Sequence, residues 1–206
     1  MTDTQQGPAE QPATVSATVL TLGHTGHVVA ALTRAATGPP PAVRILAGDA
    51  LPLAVPGGSG LVLVPVELLT AQELSAPVGV LAAPWRWYLA DTGGQGAAGA
   101  AAGTPRLLPL ADPPPGVTRA SGSLDISSPA DGGAPVLALV HPPGGWDGTV
   151  VVGLRESGVL DTDGRARLGS GGVRDTDHAL VFVRGRPTAV FVPSEVHLRR
   201  REPGTA

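Results

Sequence analysis

Residues 179–192 read Ala179-Leu180-Val181-Phe182-Val183, then Arg184-Gly185-Arg186-Pro187, then Thr188-Ala189-Val190-Phe191-Val192. Two runs of β-branched and aromatic residues flank a turn that holds Gly and Pro, the pattern of a β-hairpin. Pairing across that turn sets Leu180 against Phe191 and Phe182 against Ala189. Val181 then meets Val190 on the opposite face. Both faces are apolar, and an exposed apolar face is one that soluble monomers rarely keep. Such a hairpin belongs at the centre of a layered domain or under a partner protein. The stretch points to an all-β fold and nominates Val181 and Val190 as interface residues.

The neighbouring sequence extends the pattern. Ser123–Ile126, Val136–Val140, Thr149–Leu154 and Arg165–Leu168 are strand candidates separated by Gly, Pro and Asp turns. Their spacing is that of a β-sandwich. Over 117–198 the pattern is similar to an immunoglobulin-like or fibronectin-like sandwich, with the terminal hairpin as its last two strands. The Cys…Trp…Cys signature of antibody domains is absent.

Upstream, residues 1–13 read as a disordered arm and 14–91 as a first β domain. Ala17–Leu22 and Val28–Thr33 flank Gly23-His24-Thr25-Gly26-His27 as a second hairpin. With Thr25-Gly26 as its loop, Leu20 faces Ala31 and Leu22 faces Val29. Val43–Leu46, Leu51–Val55, Leu61–Val66, Val78–Ala82 and Trp85–Ala90 are further strand candidates. Val66–Leu74 is the best helix candidate, stopped by Pro77. Residues 92–116, Gly/Ala-rich and closed by Pro113-Pro114-Pro115, read as a flexible tether with a stiff end and one short edge strand at Arg106–Leu110. The expectation is two small units, each a sandwich or partly open barrel, followed by a tail at 199–206.

Composition narrows the chemistry. The 206 residues include 29 Gly and 22 Pro, yet 42% are hydrophobic, so a core can form and disorder throughout is excluded. With no Cys, disulfides, thiolate metal sites and thiol nucleophiles are excluded. All 14 basic residues are Arg, which excludes a Lys Schiff base and a P-loop lysine. The absence of Asn and the abundance of Ala, Gly, Pro and Arg suggest a GC-rich bacterial or phage genome. A net charge of −3 and only 15% charged residues argue against a nucleic-acid partner. The Arg199-Arg200-Arg201 run reads as a solvated tail. No apolar run is long enough to span a bilayer and the N-terminus lacks the pattern of a signal peptide. Membrane insertion is not expected, and the expected location is cytoplasmic or on a particle.

Candidate sites are few. Trp85 and Trp87, in Trp85-Arg86-Trp87-Tyr88, share one face if this stretch is a strand. They could fill the core, anchor an interface, or stack on a sugar or other small ligand. His24 and His27 would project together from their turn, but a zinc site wants three or four ligands. Gly94-Gln95-Gly96-Ala97-Ala98-Gly99 matches G-x-G-x-x-G, yet Gly103-Thr104-Pro105 ends any helix too soon to present its N-terminus to a pyrophosphate. Asp161, Asp163, Asp175 and Asp177 form two acidic doublets. An EF-hand starting at Asp161 would close on Gly172, which cannot ligate, so only a looser calcium site or plain turn chemistry remains. There is no G-x-S-x-G and no H-E-x-x-H. A hydrolase would need His141, His178 or His197 brought near a Ser and a carboxylate.

The sequence expectation is therefore a non-catalytic structural or interaction protein, a β-rich building block of a larger assembly such as a virion or tail-like particle. Its partners are other protein subunits, it needs no cofactor or metal, and its interface residues are Trp85, Trp87, Val181 and Val190. A glycan or small-ligand module built on Trp85 and Trp87 is the alternative, and a dispersed Ser/His/Asp hydrolase the second.

Overall fold

The computed structural model describes residues 13–33, 41–55, 60–90, 105–143 and 149–193. The arm up to residue 12, the Gly94–Gly99 motif, His197 and the Arg199–Arg201 tail lie outside the described residues. The protein is all-β, built from several small and mostly antiparallel sheets. The strands are β1 (Thr14–Leu22), β2 (Val28–Thr33), β3 (Ala50–Ala54), β4 (Leu61–Pro65), β5 (Leu69–Pro77), β6 (Trp87–Ala90), β7 (Arg106–Pro109) and β8 (Gly116–Ala120). They continue with β9 (Ser123–Ser127), β10 (Pro135–His141), β11 (Thr149–Val151), β12 (Leu154–Val159), β13 (Arg165–Leu168), β14 (His178–Val183) and β15 (Ala189–Phe191). Two short helices, α1 (Val43–Ala47) and α2 (Gly79–Ala82), interrupt them. Among the described residues no helix is long and apolar enough to cross a membrane.

A four-stranded sheet in the order β12-β10-β14-β15 is central. Alternation along its two middle strands divides their apolar side chains into two sets. Val136, Ala138 and Val140 of β10, with Ala179, Val181 and Val183 of β14, form one set. They pack with Leu124 and Ile126 of β9 and Leu168 of β13 in a first hydrophobic cluster. Leu137 and Leu139, with Leu180 and Phe182, form the other set. They pack with Leu22, Val62, Val64 and Leu69 in a second cluster. The cross-strand pairs Leu137–Phe182 and Leu139–Leu180 lie within that second set. Both faces of the strand that opens the terminal hairpin are thus covered by this chain itself. A third cluster gathers Ala17, Val19, Val28, Ala76 and Val80, with Trp87 against it.

The second cluster draws residues from both sides of 92–116, and one strand pairing also crosses that segment. β11 pairs in parallel with β4, and the short strand expected at Arg106–Leu110 is present as β7, paired with β6. The sheet β2-β1-β5 joins β6 through a single bridge between His27 and Tyr88. At the turn before that bridge, Gly26 has φ +77° and a Cβ there would stand 2.5 Å from the Leu89 carbonyl oxygen. Only glycine fits both conditions.

Several local expectations are corrected. Val43–Leu46 lies in α1 and Val78–Ala82 is mostly α2, although both were expected as strands. Short apolar runs do not distinguish the two by periodicity alone. Conversely, Val66–Leu74 is a 3-10 turn at Val66–Leu68 followed by β5. There, nine consecutive residues pair with β1, and tertiary pairing overrides helix propensity. Both hairpin registers differ by one residue from expectation. Leu180 pairs with Val190 and Val181 with Ala189, because a tight turn closes with Arg186 N–H donating to the Val183 carbonyl. Leu20 pairs with Ala30, and the ladder is irregular between Leu20 and Thr21.

Candidate functional site

The described surface that combines depth with exposed aromatic area is a groove of about 470 Å³ where three sheets approach one another. Its floor is Leu180 and Phe182 of the central sheet. One side is the start of β2 and the other is β3 with Val55. Trp85 stands at the rim and is 65% exposed. Pro84 explains that placement. It starts a 3-10 turn over Pro84–Arg86, so Trp85 precedes the strand instead of belonging to it. Trp87, the first residue of β6, is half-buried against the third cluster. The two indoles therefore do not form the shared strand face expected from their spacing.

His27 closes the inner end of the groove. It is 3% exposed, and its ring stands edge-on to Phe182 with centroids 5.2 Å apart. Its Nε2–H donates to the Arg186 carbonyl at 2.7 Å, which fixes the tautomer. Nδ1 is left to accept from the Thr25 hydroxyl at 2.9 Å. Burial lowers its pKa to about 4, outweighing the stabilising carbonyl contact, and Arg184 adds to the lowering. His27 is thus a neutral, fully bonded group near neutral pH. His24 is exposed and donates instead to the Gly158 carbonyl at 3.0 Å. The two histidines of one turn do not share a ligand.

The other sequence candidates are not among the residues that line this groove. Val181 is 0% exposed within the single chain, so it has no surface to offer a partner; Val190 is half-buried against the second cluster. Asp161 accepts from the backbone N–H groups of Asp163 and Arg165, while Asp177 accepts from that of Arg174. Asp175 pairs with Arg119. Each of these carboxylates except Asp163 is thus held in a local turn or ion pair. Among the described residues no group of three His, Asp or Glu is placed to hold a metal. His141 and His178 are cross-strand partners with ring centroids 5.6 Å apart. Burial lowers the pKa of His178, the neighbouring His141 lowers it further, and Asp177 acts the other way. His141 Nδ1–H donates to the Pro142 carbonyl at 2.8 Å.

A serine–carboxylate contact lies at Ser128. The Ser128 hydroxyl donates to Asp131, whose carboxylate also receives two bonds from Arg186, at 2.7 and 3.2 Å. The same guanidinium donates to the Ala111 and Asp112 carbonyls. Burial raises the Asp131 pKa, but the bonds from Arg186 and Ser128 outweigh it and hold the carboxyl below its usual range. This network ties three loops together.

No family model, curated protein or solved structure matches this chain. Its function must be read from its own surface. Sequence reasoning found Trp85 through the scarcity of aromatic residues. It missed Leu53, Phe182 and Thr188 as groove residues, since they come from separate elements and carry no shared motif.

Proposed function

We propose that the chain is a non-catalytic structural or interaction protein, a β-rich building block that contacts other protein subunits of a larger assembly. The observation that carries this reading is Trp85. A chain with six aromatic residues leaves one indole 65% exposed beside an apolar hollow. Tryptophan is enriched among the residues that carry most of the binding energy at protein interfaces. The low content of charged residues supports the same reading. We place the protein in the cytoplasm or on a particle, with no nucleic-acid partner.

Within this reading, the second half is an immunoglobulin-like or fibronectin-like sandwich. The first hydrophobic cluster supports it, because it takes residues from β9 and β13 on one side and from β10 and β14 on the other. Val181 drops out of the interface. Trp87 is better placed as core filling, and Trp85 remains the anchor.

Size-exclusion chromatography with light scattering tests the reading, on the pure chain and in native extract. Wild-type chain should elute in the extract within a species larger than its monomer. Trp85→Ala should return it to the monomer position without lowering its melting temperature. A chain that is monomeric in both settings removes the building-block role.

A further inference from the structure

We propose that the groove beneath Trp85 is a binding site for an uncharged, apolar small molecule. The site goes beyond the building-block reading and does not depend on it. Its volume, about 470 Å³, lies in the range of roughly 300–1,000 Å³ typical of small-molecule pockets. Leu180 and Phe182, almost wholly buried, still form its floor. A ligand lying on them gains apolar contact without any rearrangement of the core. Trp85 adds an aromatic wall that a flat ring could stack against.

The lining also sets the ligand's charge. None of the described residues that line the groove carries a formal charge, and the one titratable side chain among them is His27; Arg184 acts on that ring from outside the lining. Both of its ring nitrogens are bonded inside the protein, to the Arg186 carbonyl and the Thr25 hydroxyl. Its burial keeps the ring neutral at pH 7. A carboxylate, phosphate or ammonium seated here would lose its hydration with no counter-charge in the lining, which is strongly unfavourable. Thr188 is the one side chain among the described lining residues with a hydroxyl, enough to orient a single ligand polar group. On β3, Pro52 has no N–H to offer an incoming strand, so the hollow suits a compact molecule better than an added peptide strand.

Two dyes of one scaffold make the test. N-phenylnaphthylamine is uncharged and apolar and brightens on leaving water; anilinonaphthalenesulfonate is the same kind of molecule bearing a sulfonate. Titrated into the full chain at pH 7, the neutral dye should saturate at one per monomer, and the sulfonate should bind at least tenfold more weakly. Ala54 is an exposed residue of β3 in the groove lining and belongs to none of the three hydrophobic clusters, so Ala54→Trp adds bulk at the groove without altering the core. It should weaken the neutral dye at least tenfold with an unchanged melting temperature, and Thr188→Trp should do the same from the opposite wall. Absence of saturable binding overturns the proposal. So does equal binding of both dyes, or binding that neither filling variant alters. Assembly is read separately by light scattering. A chain that binds the neutral dye yet stays monomeric in extract fails the building-block reading alone, and one that assembles without binding fails this proposal alone.

Discussion

The His27 ring stands edge-on to Phe182, 5.2 Å between centroids, while its Nε2–H reaches the Arg186 carbonyl in the turn of the terminal hairpin. One side chain thereby fastens the first hairpin turn to the last one. Because the ring is bonded in its neutral form, folding and protonation compete. The pKa falls from 6.5 to about 4 in the folded state, so the unfolded chain takes up the proton first as pH drops. This contribution is complete above pH 6.5 and is lost as pH falls towards 4, by about 3 kcal/mol in all. Denaturant melts between pH 7.5 and 4.5 should show that slope. His27→Gln should be less stable at pH 7.5 and show a flatter profile. A wild-type profile as flat as the variant's would contradict the assignment.

Phe182 and Val181 occupy opposite faces of β14, and both faces are internal. Truncating Phe182 to Ala should cost on the order of 3–5 kcal/mol. Val181→Asp places an unpaired charge in the first cluster and should unfold the monomer outright. Circular dichroism of the purified variants decides it. A folded Val181→Asp chain with altered assembly would return that face to an interface role.

Cleaving the chain after Arg106 addresses its modularity. The second cluster and the β4–β11 pairing both span the cut, so the two fragments should stay together and part only in denaturant. Gel filtration of the nicked protein provides the readout. Two separate, stable fragments would establish independent units at 14–91 and 117–198.

Arg186 and Asp131 form a largely buried ion pair that also steadies the loop carrying Ala111 and Asp112. Arg186→Ala leaves the carboxylate without its main partner and should cost about 3 kcal/mol. The Asp131 pKa is held low, so this contribution is present above the ordinary carboxylate range, begins to be lost as pH falls through it and is gone only below the lowered folded value. The loss measured in urea at pH 7 should shrink in acid.

The acidic doublets make a contrasting case. Asp161 is engaged with two backbone N–H groups of its own turn. Millimolar calcium should leave the melting temperature unchanged, while Asp161→Ala should lower stability by about 1–2 kcal/mol. A calcium-dependent rise abolished by Asp163→Ala would reverse that reading.

Much of the β character was legible because alternation leaves a direct trace. Val28–Thr33 and Arg165–Leu168 are strands at the bounds expected of them. What the sequence did not carry was set by partners distant in the chain. Val43–Ala47 is helical although its apolar residues are too few to show a period. The one-residue register shift at Val181 follows from the turn around Gly185, whose φ is +82°. Trp85 could be recognised as unusual, but its exposure depends on Pro84 diverting the backbone. His24 and His27 look equivalent in sequence, yet the bridge to Tyr88 draws only His27 inward. The groove has no sequence signature at all, since its walls meet only after three sheets have formed.

The parallel pairing of β4 with β11 has a consequence for synthesis. Leu61–Pro65 leaves the ribosome long before Thr149–Val151 exists, so one edge of β4 waits unpaired while the intervening chain is made. An unpaired apolar strand edge is where nascent chains pair wrongly with one another. Slow translation between these segments, or growth without chaperones, should therefore aggravate aggregation more for this protein than for one whose sheets close in chain order.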